Sequence, residues 1–158
     1  MSHMSEFIAE ARELSSQYPG CSPEQALVYS CEDIVDREIG SQAVSSHAVQ
    51  QWVISVCTAE DLDPPHIVVQ RATPTTLASA SPDTNTICIR GRNTTHATLL
   101  HEISHVAGSA HQHDQQFRDR LIQLSRSHIS VQYAAMLHAL YAGVGLSVGP
   151  WTSSIRQR

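Results

Sequence analysis

Thr98–Phe117 reads "TLLHEISHVAGSAHQHDQQF" and carries four of the chain's ten histidines. Its first half has helical periodicity. Leu99, Ile103 and Val106 recur at i, i+4 and i+7 and give a helix an apolar back to bury. On that helix His101 and His105 stand one turn apart and project from one face. This is an H-E-x-x-H pattern: two imidazoles able to hold one zinc ion, with Glu102 placed to take a proton from a metal-bound water. With ten His and eight Glu in 158 residues, chance supplies roughly 0.03 such matches. Incidental histidines on an exposed helix are therefore the weaker reading.

Working outward, Asn93–Thr95 offers a cap for this helix, which the spacing predicts over about 95–108. Upstream, "HIVVQ" (66–70), "TTLASA" (75–80) and "NTICIR" (85–90) read as three short antiparallel strands, with "SPDT" as a turn between the last two. The strand ending near Arg90 would lie just before the motif helix and present an edge to an extended peptide. Residues 5–17 predict a short helix with Phe7, Ile8, Ala11 and Leu14 on one face. Ser22-Pro23-Glu24-Gln25 starts another, with a Ser cap, Pro at the first position and Gln three residues on. It should run to about Ile39, with Leu27, Cys31, Ile34 and Val35 inward, and stop at Gly40. Further helices are expected over 47–58, over 114–127 with Phe117, Leu121 and Leu124 on one face, and from a Ser130 cap to about Ala142. Strands and helices in this order predict one α+β domain over residues 1–158, a small antiparallel sheet packed with the motif helix and flanking helices. Residues 1–4 ("MSHM") read as a cloning remnant, and 5–20 as a loosely attached N-terminal helix.

A catalytic zinc takes three protein ligands and keeps one position open. His111 completes the spacing H-E-x-x-H-x-x-G-x-x-H, with Gly108 free to turn the chain back through positive φ. His113 opens "HDQQF", just before a helix whose Phe117 would anchor it in the core. The first spacing, that of metzincins, also needs a methionine turn. Met136 sits instead in a helical pattern, "YAAMLHALY".

"VYSCEDIV" (28–35), "LLHEISH" (99–105), "HDQQF" (113–117) and "AMLHALYAGVGLSVG" (135–149) resemble a family of small bacterial and phage proteins described as zinc metallohydrolases. These are zincin-like and related to SprT-like minimal metallopeptidases. The resemblance spans most of the chain from Val28 onward and is specific at the H-E-x-x-H core. It implies His101, His105 and His113 as ligands, Glu102 as the base, and one Zn2+ per chain. Gly-Pro usually follows the third ligand in that family; Asp114-Gln115 stand here.

Other residues carry a structural and a chemical reading. His47, His66, His96, His128 and His138 read as surface or packed histidines, His138 being nearest to a site role. Tyr133 and Tyr141 read first as core-edge tyrosines and second as oxyanion donors. Asp114 reads as a helix N-cap or as a partner orienting a ligand imidazole.

Composition narrows the partners. Net charge is -5, and all ten basic residues are Arg, scattered without a basic run. No cationic surplus exists to attract nucleic acid or an anionic membrane. No apolar run approaches the ~20 residues of a membrane span. Cys21, Cys31, Cys57 and Cys88 form no C-x-x-C pair, and the last three read as small core residues of a reducing, cytoplasmic setting. The expectation is a metallopeptidase acting on peptide or protein. A zinc-holding structural or interaction module without catalysis is one alternative, and a SprT-like nucleic-acid-associated protease is another.

Overall fold

The computed structural model describes residues 3–71, 78–108 and 112–152. Among these residues six α-helices form where capping and periodicity predict them: α1 (His3–Leu14), α2 (Pro23–Glu38), α3 (Val49–Ala59), α4 (His96–Gly108), α5 (Gln115–His128) and α6 (Val131–Gly143). Three starts are fixed by side-chain caps. Ser22 accepts from the Gln25 amide, Asp114 from Phe117 and Ser130 from Tyr133, each satisfying a donor the helix leaves unpaired. Gly40 ends α2 at φ +72°, a conformation a Cβ disfavours.

Five short strands among the described residues complete the α+β fold: β1 (Ala43–Ser45), β2 (His66–Gln70), β3 (Ala78–Ser81), β4 (Thr86–Arg90) and β5 (Asn93–Thr95). The expected antiparallel trio is corrected here. The sheet order is β2-β4-β3, with β4 antiparallel to β3 but parallel to β2. β4 takes the centre because it is the strand with two fully buried apolar residues, Ile87 and Ile89. β2 and β3 are more exposed and suit the edges. The strand ending at Arg90 is thus not an edge. Asn93–Thr95, expected as a cap, pairs with Ala43–Ser45 as a two-stranded antiparallel ribbon. Thr95 still caps α4, its Oγ1 accepting from the Thr98 amide at 3.2 Å. Residues 75–77 of the predicted middle strand lie outside the described residues.

The core gathers around α4. Leu99, Leu100 and Ile103 are fully buried, and His101, Glu102, Ser104 and His105 are buried with them. A helix covered all round occupies the interior of its domain. The N-terminal helix, expected to be loose, packs on α2 and α6 with Ala11 wholly buried and Ile8 against Gly143. Cys31 and Cys57 are buried, Cys88 is half-buried and all four thiols are free. Among the described residues, no helix is long and apolar enough to cross a membrane.

Candidate metal centre

Two turns of α4 and the residue before the Asp114 cap bring three histidines together. His101, His105 and His113 are each at least nine-tenths buried. His113 Nε2 lies 3.1 Å from His105 Nε2 and 3.1 Å from His101 Nε2, and ligand atoms of all three fall within 4.8 Å of one another. Phe117 packs on all three rings, with centroid distances of 4.9, 4.5 and 4.8 Å to His101, His105 and His113. Tyr29 from α2 closes the opposite side, stacked 5.7 Å from His101 and edge-on at 5.1 Å to His113.

The tautomer of His101 follows from its neighbours. Its Nδ1 sits 2.8 and 3.1 Å from the two oxygens of Glu32, so Nδ1–H donates there and Nε2 keeps a lone pair. A carboxylate behind a metal-binding imidazole orients the ring and raises its basicity. Glu32 is held in turn by the Tyr141 hydroxyl at 3.0 Å. Burial opposes charge on His101, but the adjacent Glu32 outweighs it and raises the ring's pKa. His113 goes the other way. Burial, with His101, His105 and Arg118 nearby, lowers it to about 3, leaving a neutral nitrogen.

Do these residues fit a zinc ion? Zinc–nitrogen bonds of ~2.0–2.1 Å at tetrahedral angles place the nitrogens about 3.3 Å apart, close to the 3.1 Å seen. Lone pairs converging at that distance repel unless a proton or a cation lies among them. The donor set is all nitrogen, which suits zinc. The residues fit the ion.

Arg118, 2% exposed, fixes the third histidine's backbone. Its Nη1 donates to the His113 carbonyl oxygen and to Glu24 Oε1, both at 2.6 Å, and its Nε donates to the Ser147 carbonyl oxygen at 2.9 Å. Asp114 Oδ1 accepts from the Phe117 amide at 3.0 Å, so its capping role is the one seen. His111 lies outside the described residues. Gly108 remains helical, without positive φ; its missing side chain admits Arg120, whose Nη1 would stand 2.4 Å from a Cβ there. Arg120 uses that approach to donate to the Ser104 carbonyl oxygen at 2.9 Å.

A cleft of about 480 Å³ opens on the face of the centre formed by His101 and Glu102. It runs between α2 and α4, with Ala78 of β3 in its lining. Glu102 is 7% exposed and accepts no hydrogen bond from any described residue. Burial raises its pKa, with Glu32 adding to the shift and His101 opposing it. Tyr133 donates to Asp36 Oδ1 at 2.7 Å, and burial pushes Asp36 up to about 6. Tyr141 is fully buried and committed to Glu32. The remaining described histidines stand elsewhere: His96 on Trp52 at 4.3 Å, His128 on Glu60 at 2.8 Å, His138 on the Gly149 carbonyl at 2.8 Å, with His3, His47 and His66 exposed.

Glu32, Tyr29 and Arg118 were not singled out from sequence. A signal existed for the first two. Tyr29, Glu32, Asp33 and Asp36 recur at i, i+3, i+4 and i+7 on α2, a polar stripe beside the buried one. A scan against protein-family models and searches of curated proteins and of solved structures return no match.

Proposed function

We propose that this chain is a zinc-dependent hydrolase, zincin-like in its site and acting on peptides. The observation that carries this reading is the convergence of three histidine Nε2 atoms beside a buried, unpartnered Glu102 at the mouth of a cleft. His101, His105 and His113 hold one Zn2+ per chain. When bound, zinc supplies Lewis acidity, polarising a carbonyl and making water acidic enough to attack near neutral pH. Glu102 takes the water's proton on its carboxylate and returns it to the leaving amine. Its raised pKa suits a group that must both accept and release a proton. Tyr29 accepts from Gln25 Nε2 at 3.1 Å and has its own O–H left to donate to a developing oxyanion. The edge of β3, with Ala78 in the cleft, is where an extended substrate pairs.

A zinc module without catalysis would share the triad, but it has no use for Glu102 facing a cleft with no hydrogen bond from any described residue. A nucleic-acid-associated protease fits poorly with a net charge of -5 and an acidic cleft. Four free thiols suit a reducing compartment, and a cytoplasmic setting is part of this proposal.

The test has two arms. Metal analysis should find one zinc per chain, lost in His101→Ala, His105→Ala and His113→Ala. Cleavage of a mixed peptide library at matched zinc occupancy should fall ~10²–10⁴-fold in Glu102→Gln. A wild type that stays metal-free in excess zinc, or equal cleavage by both forms, overturns the reading.

A further inference from the structure

We infer that the cleft beside the histidine triad recognises a positively charged organic group, an amine or guanidinium on the substrate next to the bond to be cleaved. The inference rests on the hydrolase reading above and names its substrate class.

Four carboxylates line the cleft: Glu32, Asp33, Asp36 and Glu102. Among the described residues no Arg lines it, and the sequence contains no Lys. The carboxylates face it from both sides, three from α2 and one from α4. Glu32 is engaged by His101 and Tyr141, and Asp33 and Asp36 each receive a single tyrosine hydroxyl, from Tyr18 and Tyr133. A carboxylate has about four acceptor positions, so both aspartates, exposed at the cleft, keep positions that water or a ligand can take. Glu102 faces the three carboxylates of α2 from α4; it is more than nine-tenths buried, lines the cleft, and accepts no hydrogen bond from any described residue.

The walls fit an organic cation better than a second metal ion. Among the described residues, the three histidines are the group of three or more whose ligand atoms all lie within 4.8 Å of one another, so no three of these carboxylates converge on one ion. Tyr18 and Tyr29 line the same space with ring centroids 5.4 Å apart. Aromatic faces attract ammonium and guanidinium groups, and Ala78, Ala97 and Leu121 offer apolar surface for an alkyl stem. The volume of about 480 Å³ lies within the ~300–1,000 Å³ of small-ligand clefts.

Such a group reaches the cleft from an Arg or Lys side chain or from a peptide's free amino terminus. The experiment uses the full chain loaded with zinc and capped hexapeptides that differ at one scanned position, Arg, Lys, Gln or Glu. A Gln peptide with a free amino terminus completes the set. Binding is followed by fluorescence anisotropy, which needs no turnover. At one position Arg or Lys should bind roughly tenfold more tightly than Gln, as charge-assisted hydrogen bonds do, with Glu weakest. If the uncapped Gln peptide gains the tenfold instead, the terminus is the recognised source. Asp33→Asn with Asp36→Asn should erase the preference. If that variant fails to fold, wild-type salt dependence decides, because a charge preference shrinks at high ionic strength. Equal binding of all peptides, a preference for Glu, or a preference indifferent to salt overturns the inference. Zinc content of the same sample is read separately, so failure of the metal site and failure of charge recognition are distinguishable.

Discussion

Glu32 governs what His101 can offer a metal, because the hydrogen bond at Nδ1 decides which nitrogen is free. Glu32→Gln should therefore lower zinc affinity by roughly 10–100-fold while leaving all three histidines in place. Competition with a chelator of known affinity reads this directly; an unchanged affinity would remove Glu32 from the centre. Asp36 supplies a second test at this scale. Its folded-state pKa of about 6 stands above the ordinary carboxylate value, chiefly because neighbouring groups displace water from its carboxyl, although the residue as a whole is exposed. The unfolded chain then releases this proton more readily than the folded one, so ionised Asp36 opposes folding. That penalty is absent below the unfolded value, grows as pH rises, and is complete above about 6. In zinc-free protein, Asp36→Asn should gain stability relative to wild type across that window and not below it. Urea midpoints against pH measure the difference, which solvent in the cleft keeps modest. His101, Glu102 and His105 were legible in the sequence because a helix converts spacing into direction. Glu32 was not, since its imidazole partner lies 69 residues away and no local period encodes that meeting.

At the scale of elements, helix starts were written plainly and strand partners were not. Ser22, Asp114 and Ser130 announce their helices by chemistry confined to one turn. Asp114 has further reach, because the turn it closes also carries His113. Asp114→Ala should cost about 1 kcal/mol in apo-protein stability and also weaken zinc binding, whereas Asp114→Asn, an equal cap, should do little of either. Urea denaturation and zinc titration of the two variants check the pair. If Ala and Asn behave alike, the cap is not what holds the third ligand. β1 and β5 have three residues each, too few for alternation to register, and they meet across the whole of α3 and the larger sheet. The parallel pairing of β2 with β4 was hidden for a related reason. An apolar run specifies burial, while order within a sheet is decided by which strand has most apolar surface to cover.

For the whole molecule, the proposed ion joins parts that the chain leaves separate: α4 gives two ligands and the start of α5 the third. An ion bound only by the folded state stabilises it, by about 2.7 kcal/mol when free zinc is 100-fold above Kd. For a chain of this size that corresponds to a rise in Tm of roughly 5–10 °C. The rise should appear in wild type and Glu102→Gln and be absent from His113→Ala; calorimetry with and without chelator measures it, and equal shifts in all three would place the zinc elsewhere. The Glu32 carboxylate extends this coupling, since it belongs to α2 and touches both His101 of α4 and Tyr141 of α6. Immobilising His101 then restrains a hydroxyl on a helix that contributes no ligand. Opening of α6 becomes costlier once the centre is filled, and amide hydrogen exchange around Tyr141 is expected to slow along with that of α4.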